Sequence, residues 1–385
     1  MNTTPGLVCA HHHIYSALAR GMPAPPRTPT GFMDILELVW WRLDSALDLD
    51  MIEWSAKLAA MEALQAGCTA IIDHHESPNA IEGSLSVIAD ACAEVGVRVN
   101  TCYGVTDRNG ADGARRGLQE NDRFLSDGGR GMVGVHAAFT CSDDTLAAAA
   151  ELAVKHQTGV HIHVAEGPTD EPERLVGLTT DRWLLIHGVH LEHDLKGTIV
   201  HNARSNMNNA VGYARPTRFT QPVALGTDGI GADMLDEFRV AYARAREHDV
   251  TFTPDQAWHW LAAGWDLFPE AVHDVVHWSY DTMGPWELAY TTTVAATDIY
   301  VDDELVLSEG KPTRVDVDEI RAKAAEQANR LFAALGYNCL SAGMDLAIQI
   351  VRTSRLDWPG WSELLARVSE HSACEVRYVF ESLIR

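Results

Sequence analysis

The chain has 385 residues, 46% apolar and 22% charged, the balance of a globular protein large enough for a sizeable buried core. With 30 basic residues against 54 acidic, the formal net charge is -24, which repels phosphate backbones and anionic membranes and argues against nucleic-acid and membrane partners. Its 7 cysteines are scattered with no CxxC pair, and no membrane-length apolar run or signal-peptide pattern is visible, so the expectation is a cytoplasmic protein without a disulfide framework or zinc ribbon.

Residues 5–13 read Pro-Gly-Leu-Val-Cys-Ala-His-His-His. On a strand over 7–13 the side chains alternate, so His11 and His13 share one face and His12 turns away toward the surrounding helices as a bystander. Two imidazoles two residues apart on one face suit a pair of metal ligands. A solvated His-rich stub or tag remnant is the plainer alternative, opposed by the apolar lead-in. The long connection 14–69 carries Pro23, Pro25, Pro26 and Pro29 ahead of Trp40, Trp41 and Arg42, and reads as a loop covering the mouth of the fold.

Further short apolar runs predict strands at 69–73, 97–103, 132–136, 159–164, 184–188, 198–202 and 222–228. Helical periodicity occupies 51–66, 83–95, 111–125, 143–156 and 233–247. Alternating strands and helices give the α/β class, and eight such units across roughly 250 residues fit a (β/α)8 TIM barrel with its active site where the strands end. The connection 189–197 is too short for a helical crossover and marks a degenerate unit.

Buried parallel strands are normally apolar throughout, yet these end on polar residues. In order they offer His11 and His13, Asp73 with His74 and His75, Tyr103, His136, His161 and His163, His187, His201 and Asn202, and Asp228. A lone strand histidine is usually a satisfied core residue; this many at one rim mark a site. Beyond the barrel, 258–297 is aromatic and resists assignment, and 264–286 looks eroded. A hairpin is predicted at 299–307, extended by 311–317, then an amphipathic helix over 318–334 with an Asp N-cap and Gly336 past its end. The expected domains are the barrel over 1–260, a remnant of barrel closure with a partial β-sandwich over 261–317, and C-terminal helices over 318–385.

Four features line up along the chain: His11-x-His13, His163-Val-Ala-Glu166, His187 and Gly226-Thr-Asp228-Gly. Three imidazoles and one carboxylate suit Zn²⁺ or Fe²⁺. With the runs PGLVCAHHHIYSALARGM, WWRLDSALD, GCTAIIDHHESP, VHIHVAE, VHNARSNMNNAVGY and LGTDGIGADM, the pattern resembles the amidohydrolase superfamily, in the branch of guanine and cytosine deaminases and triazine chlorohydrolases. Over residues 5–335 it is similar to the SsnA-type aminohydrolases.

The resemblance implies that His11, His13, His163 and Asp228 bind one divalent metal, Zn or Fe. It makes Glu166 the proton shuttle, His187 the group that polarises the bound substrate, and Asp228 also the acceptor of a water proton. The implied activity is metal-dependent hydrolysis of carbon–nitrogen bonds: deamination of a small aminated N-heterocycle (purine, pterin or triazine) by water. Ring-amide cleavage, halide displacement, or a truncated inactive metal-binding homologue are the alternatives. Two-metal members commonly bridge their ions with a modified lysine on the strand that here ends Gly134-Val135-His136, so one metal is expected. His74, His136, Trp41, Asn202, Arg204 and Asn206 are candidate substrate contacts, and His161 a packing or supporting residue. Family members begin further upstream, so the sandwich is expected to be partial, its hairpin edge covered by the tail or by the second subunit of a homodimer.

Overall fold

The computed structural model describes residues 2–281 and 284–336. The tail 337–385, expected to form helices, lies outside the described residues. A short strand β1 (Thr3–Thr4) precedes β2 (Leu7–His12), and seven parallel strands follow: β3 (Cys68–His75), β4 (Arg98–Tyr103), β5 (Val133–Ala137), β6 (Val160–Val164), β7 (Leu184–His187), β8 (Thr198–His201) and β9 (Val223–Leu225). Two continuous ladders, β2–β4 and β5–β9, make up the wall. Single bridges close it. The Val105 N–H donates to Gly134 O at 3.1 Å and the His136 N–H to Val105 O at 2.9 Å; on the other side the Thr227 N–H donates to His11 O at 2.8 Å and the His13 N–H to Asp228 O at 3.2 Å. The eight-stranded barrel expected from the sequence is therefore closed.

Crossover helices Leu49–Gln65, Ser84–Val95, Gly110–Ser126, Asp143–Lys155 and Met234–His248 fall where the periodicity places them. Asp48, Ser142 and Asp233 cap three of them by accepting a backbone N–H three residues on. No helix joins β7 to β8, as the short connection requires. The first connection departs from expectation. After a turn at Ile14–Ala19 it becomes helical over Phe32–Ile35, Leu36–Trp40 and Trp41–Ala46, because its prolines stop at Pro29 and nothing interrupts the residues that follow.

Inside the barrel, small and branched residues (Val8, Ala10, Ala70, Ile72, Ile186, Val200, Ala224) form a dry lower layer that Phe268 and Ala271 plug from the N-terminal end. The Gly6 N–H donates to Ala271 O at 3.0 Å and Trp265 Nε1 to Gly6 O at 2.8 Å. The segment around Gly264–Leu267 and Pro269–His273, which looked eroded in the sequence, is thus the barrel floor. With that floor filled, the polar upper rim is where the cleft forms.

Strands β10 (Val275–Trp278), β11 (Ala296–Val301), β12 (Glu304–Ser308) and β13 (Lys311–Pro312) join β1 in an antiparallel sheet of order β1-β10-β11-β12-β13. The predicted hairpin is its β11–β12 pair, turning at Asp302 and Asp303 with φ of 51° and 64°. Its β11 edge pairs with β10 and its β12 edge with the short β13. The helix Val317–Ala334 follows, capped by Asp316. No described helix is long and apolar enough to cross a membrane.

Tight strand packing makes one glycine diagnostic. A Cβ on Gly159, just ahead of β6, would lie 1.8 Å from the backbone carbonyl oxygen of Arg182, whereas one on Gly231 meets nothing within 4 Å. Gly159→Ala is expected to destabilise the protein by about 1–3 kcal/mol or more through overpacking. Thermal unfolding should show a clear drop for this variant and almost none for Gly231→Ala.

Candidate active site

His11 and His13 at the end of β2, His163 on β6, His187 at the end of β7 and Asp228 past β9 meet at the rim, all buried. Hydrogen bonds decide which ring nitrogen faces inward. His13 Nδ1 donates to His74 O at 2.6 Å and His163 Nδ1 to His136 O at 2.7 Å, which turns each Nε2 inward. Those two Nε2 atoms stand 3.2 Å apart. Asp228 Oδ1 is 3.0 Å from His13 Nε2 and 3.3 Å from His11 Nε2.

His11 is oriented from behind. Its Nδ1 is 2.8 Å from His161 Nε2, and His161 Nδ1 is 3.6 Å from Cys102 Sγ. A donor chain from His11 through His161 to Cys102 leaves His11 Nε2 without a hydrogen-bond partner, as observed. The Nε2 atoms of three imidazoles and a carboxylate oxygen therefore converge on one point, where the carboxylate charge calls for a cation, or in its absence for a proton on His13. Number and type of donors fit a divalent metal, with ring N–H groups tied back to supporting acceptors as metal-bound histidines require.

The electrostatics agree. Burial pushes the His13 imidazole down, but Asp228 outweighs it and holds the group up at about 9, so this spot draws positive charge. Against the upward push of burial, His11 and His13 keep Asp228 well below the usual carboxylate range. Ligand atoms of His11, His163, His187 and Asp228 all lie within 4.8 Å of one another, as do those of His13, His74 and His163.

His161→Phe, which keeps the ring but removes the acceptor for His11, is expected to weaken metal binding about 10–100-fold. Competition with a chelator measures it, and His161→Gln, which can still accept, should recover part of the loss.

His187 and Glu166 stand beside this cluster. Asn206 Oδ1 accepts the His187 Nδ1–H at 2.7 Å, and His187 Nε2 is 3.3 Å from Glu166 Oε2. Asn209 Nδ2 donates to Glu166 Oε1 at 3.3 Å, and the Ser205 hydroxyl donates to Asp228 Oδ2. Burial first, and the Asp228 charge second, push Glu166 well above the usual carboxylate range, so it can hold a proton at neutral pH. Burial keeps His187 below its ordinary value and neutral.

Three non-glycine residues at this rim, Ala165, His187 and Asp228, have left-handed φ of 51°, 73° and 53°. Such strain costs of the order of 1–3 kcal/mol per residue and gathers at functional sites. Here it turns Glu166, His187 and Asp228 inward at the strand ends.

The candidate substrate contacts separate into three groups. Trp41 and His136 line the cleft together with Tyr15, Phe32, Trp40 and Phe139, which gives it aromatic walls. Asn206 holds His187, and Asn202 Nδ2 lies 3.3 Å from the same ring nitrogen, so both position a side chain rather than face the opening. His74 is fully buried, bonded through Nε2 to Val135 O at 3.1 Å, and does not line the cleft; Arg204 is paired with Glu237 at 2.6 Å and Asp236 at 3.2 Å. Neither is among the residues that line the cleft.

His12 is no bystander either: its Nδ1 is 2.7 Å from the Asp228 carbonyl oxygen and 3.1 Å from Thr227 Oγ1, which ties the last strand end to the first. Sequence reasoning missed Ser205 and Asn209. The signal was their spacing, since 202, 205, 206 and 209 follow the i, i+3, i+4, i+7 pattern of one helix face.

Residues 2–261 match the sequence profile of the Amidohydrolase family. The chain is 28% identical to the 5′-deoxyadenosine deaminase of Methanopyrus kandleri, over 85% of this chain and 86% of that one. It is 28% identical to the 8-oxoguanine deaminase of Pseudomonas aeruginosa over 68% of each. Among solved structures, an adenosine deaminase from Xanthomonas campestris with bound zinc superposes with a TM-score of 0.71 at 20% identity, covering 86% of both chains, a likeness of fold.

Proposed function

The chain belongs to the amidohydrolase family and is a metal-dependent hydrolase of carbon–nitrogen bonds, and from that premise we propose that it deaminates a purine-type N-heterocycle. The observation that carries this reading is Glu166, able to hold a proton and 3.3 Å from neutral His187, beside a convergent set of metal donors. Two relatives are named as deaminases of 5′-deoxyadenosine and 8-oxoguanine, both of which contain a purine ring.

When held by His11, His13, His163 and Asp228, the metal would lower the pKa of a water from about 15.7 toward about 7 and so supply hydroxide at neutral pH. Asp228, a carboxylate steadied by Ser205, takes up a water proton. Glu166 gives its proton to the ring nitrogen beside the attacked carbon, takes up the proton that Asp228 received from the water, and delivers it to the amine. The amine leaves as ammonia while the added hydroxyl returns its own proton to Glu166 as the carbonyl forms. His187, its Nδ1–H fixed on Asn206, leaves Nε2 as a free acceptor 3.3 Å from Glu166 Oε2. This refines the role that the resemblance implied, because a neutral imidazole of this tautomer accepts rather than donates at Nε2.

Ammonia release by zinc-loaded and iron-loaded protein across aminopurines, pterins and aminotriazines tests the proposal. Ammonia with the corresponding oxo product supports it. Chloride, a ring-opened acid, or no product from any of these classes would overturn it.

A further inference from the structure

We propose that residues 23–40 form a strap that opens to admit substrate and closes on two latches, Phe32 on Gly167 and Trp40 on Gly229. The inference rests on the proposed function only for what passes beneath the strap.

With the strap down the site is nearly sealed. His13, His163, Glu166, His136 and Asp228, the groups a ring must reach, are 6%, 8%, 8%, 9% and 5% exposed. A flat heterocycle cannot reach groups so covered, so one wall of the cleft has to move. Most of the wall consists of strand ends and the loops leaving them. The remainder is the first connection, which contributes Phe32, Leu36, Trp40 and Trp41.

That connection is the weakly held part. Between Leu18 and Leu43 only Leu36 is buried. Among the described residues no hydrogen bond ties 23–40 to the barrel, since Arg27 and Thr30 both close on Asp34 within the segment. Anchoring resumes at Arg42, which donates to Leu335 O at 2.7 Å, and at Asp44, 2.7 Å from Arg108. A segment with so few buried side chains and no outward hydrogen bonds opens locally at small cost.

Two ring contacts hold it down, each on the residue after a catalytic carboxyl. Phe32 lies over Gly167, beside Glu166, so closely that a Cβ there would stand 2.7 Å from Phe32 Cδ1. Trp40 covers Gly229, beside Asp228, more closely still. Neither glycine has a left-handed φ, so the backbone does not demand glycine and the space is used by the ring alone. Phe32 also packs on Val189, Val211 and Ala214, and the Trp40 ring is 5.7 Å from that of His13. Leu36–Trp40, a π-helical turn of the kind that recurs at functional sites, leads into the second latch. Closure therefore lowers the aromatic wall onto Glu166 and the metal donors together, which shuts bulk water out of the cleft.

Hydrogen exchange of zinc-loaded protein without substrate measures the opening. Residues 31–40 are expected to exchange at least about 100-fold faster than the helix Leu49–Gln65, and Gly167→Ala to speed them about tenfold further by wedging Phe32 off its seat. Zinc removal by 4-(2-pyridylazo)resorcinol, a flat aromatic chelator that has to enter the cleft, should quicken about tenfold in the same variant. Gly231→Ala, whose Cβ meets nothing within 4 Å, should change neither. Should Gly167→Ala fail to fold, Trp40→Leu, which shortens the second latch, is expected to shift both readings in the same direction. Exchange of 31–40 no faster than that of the helix, or faster exchange in the variant with zinc removal unchanged, would overturn the proposal. Neither reading needs turnover. A strap that opens in this way in a protein releasing no ammonia defeats the proposed reaction and leaves the strap standing; ammonia release with 31–40 as slow to exchange as the helix does the reverse.

Discussion

Glu166→Gln is expected to keep its metal and lose about 10²–10⁴-fold in kcat, the range a positioned proton donor contributes. Glutamine preserves the volume of a buried side chain and retains an oxygen for Asn209 Nδ2, so the pocket wall should survive the change. What it cannot do is release a proton. Burial and the Asp228 charge push Glu166 well above the usual carboxylate range and so favour its protonated form, with Oε2 3.3 Å from His187 Nε2. Metal analysis and ammonia kinetics on one preparation separate the two consequences. Full metal occupancy with activity within about tenfold of wild type would remove Glu166 from the proton path.

Strand alternation made His11 and His13 readable as a pair, and helical periodicity placed the five crossover helices. Both are local signals, set by which face of an element is buried. The supporting residues were harder because their roles depend on where a helix face lands. In Asn202-Ala-Arg204-Ser205-Asn206, adjacency suggested that Arg204 shares the fate of its neighbours, yet a helix turns 100° per residue and sends Arg204 to Glu237 while Asn206 meets His187. The sheet beside the barrel escaped for another reason. β1 and β13 are two residues each, too short to carry a period, and only pairing with β10 and β12 creates them. His161 and Cys102 were visible as residues, but the link from His11 through His161 to Cys102 spans three strands and exists only once the barrel closes.

Asp228→Asn should weaken metal binding by about 10²–10³-fold, the scale of removing one partner from a buried charge cluster. Asparagine is the informative substitution here. Asp228 sits at φ 53°, a conformation asparagine tolerates and alanine does not, so the change removes charge without adding backbone strain. The Ser205 hydroxyl donates to Oδ2 and would hold the amide oxygen on that side, turning the amide N–H groups toward the Nε2 atoms of His11 and His13. Those lone pairs then acquire a hydrogen donor that belongs to the protein. In the wild type the metal takes the place of the His13 proton, and a ligand that binds only the folded state stabilises it by about 2.7 kcal/mol at 100 times its dissociation constant. Zinc should therefore raise the unfolding temperature of the wild type and leave that of Asp228→Asn nearly unchanged at the same concentration. The metal-free variant should itself unfold lower than the metal-free wild type, because it loses the carboxylate that pairs with buried His13. A variant that retains a full equivalent of zinc, or shows the wild-type thermal shift, would mean that Asp228 is not the charge that holds the metal.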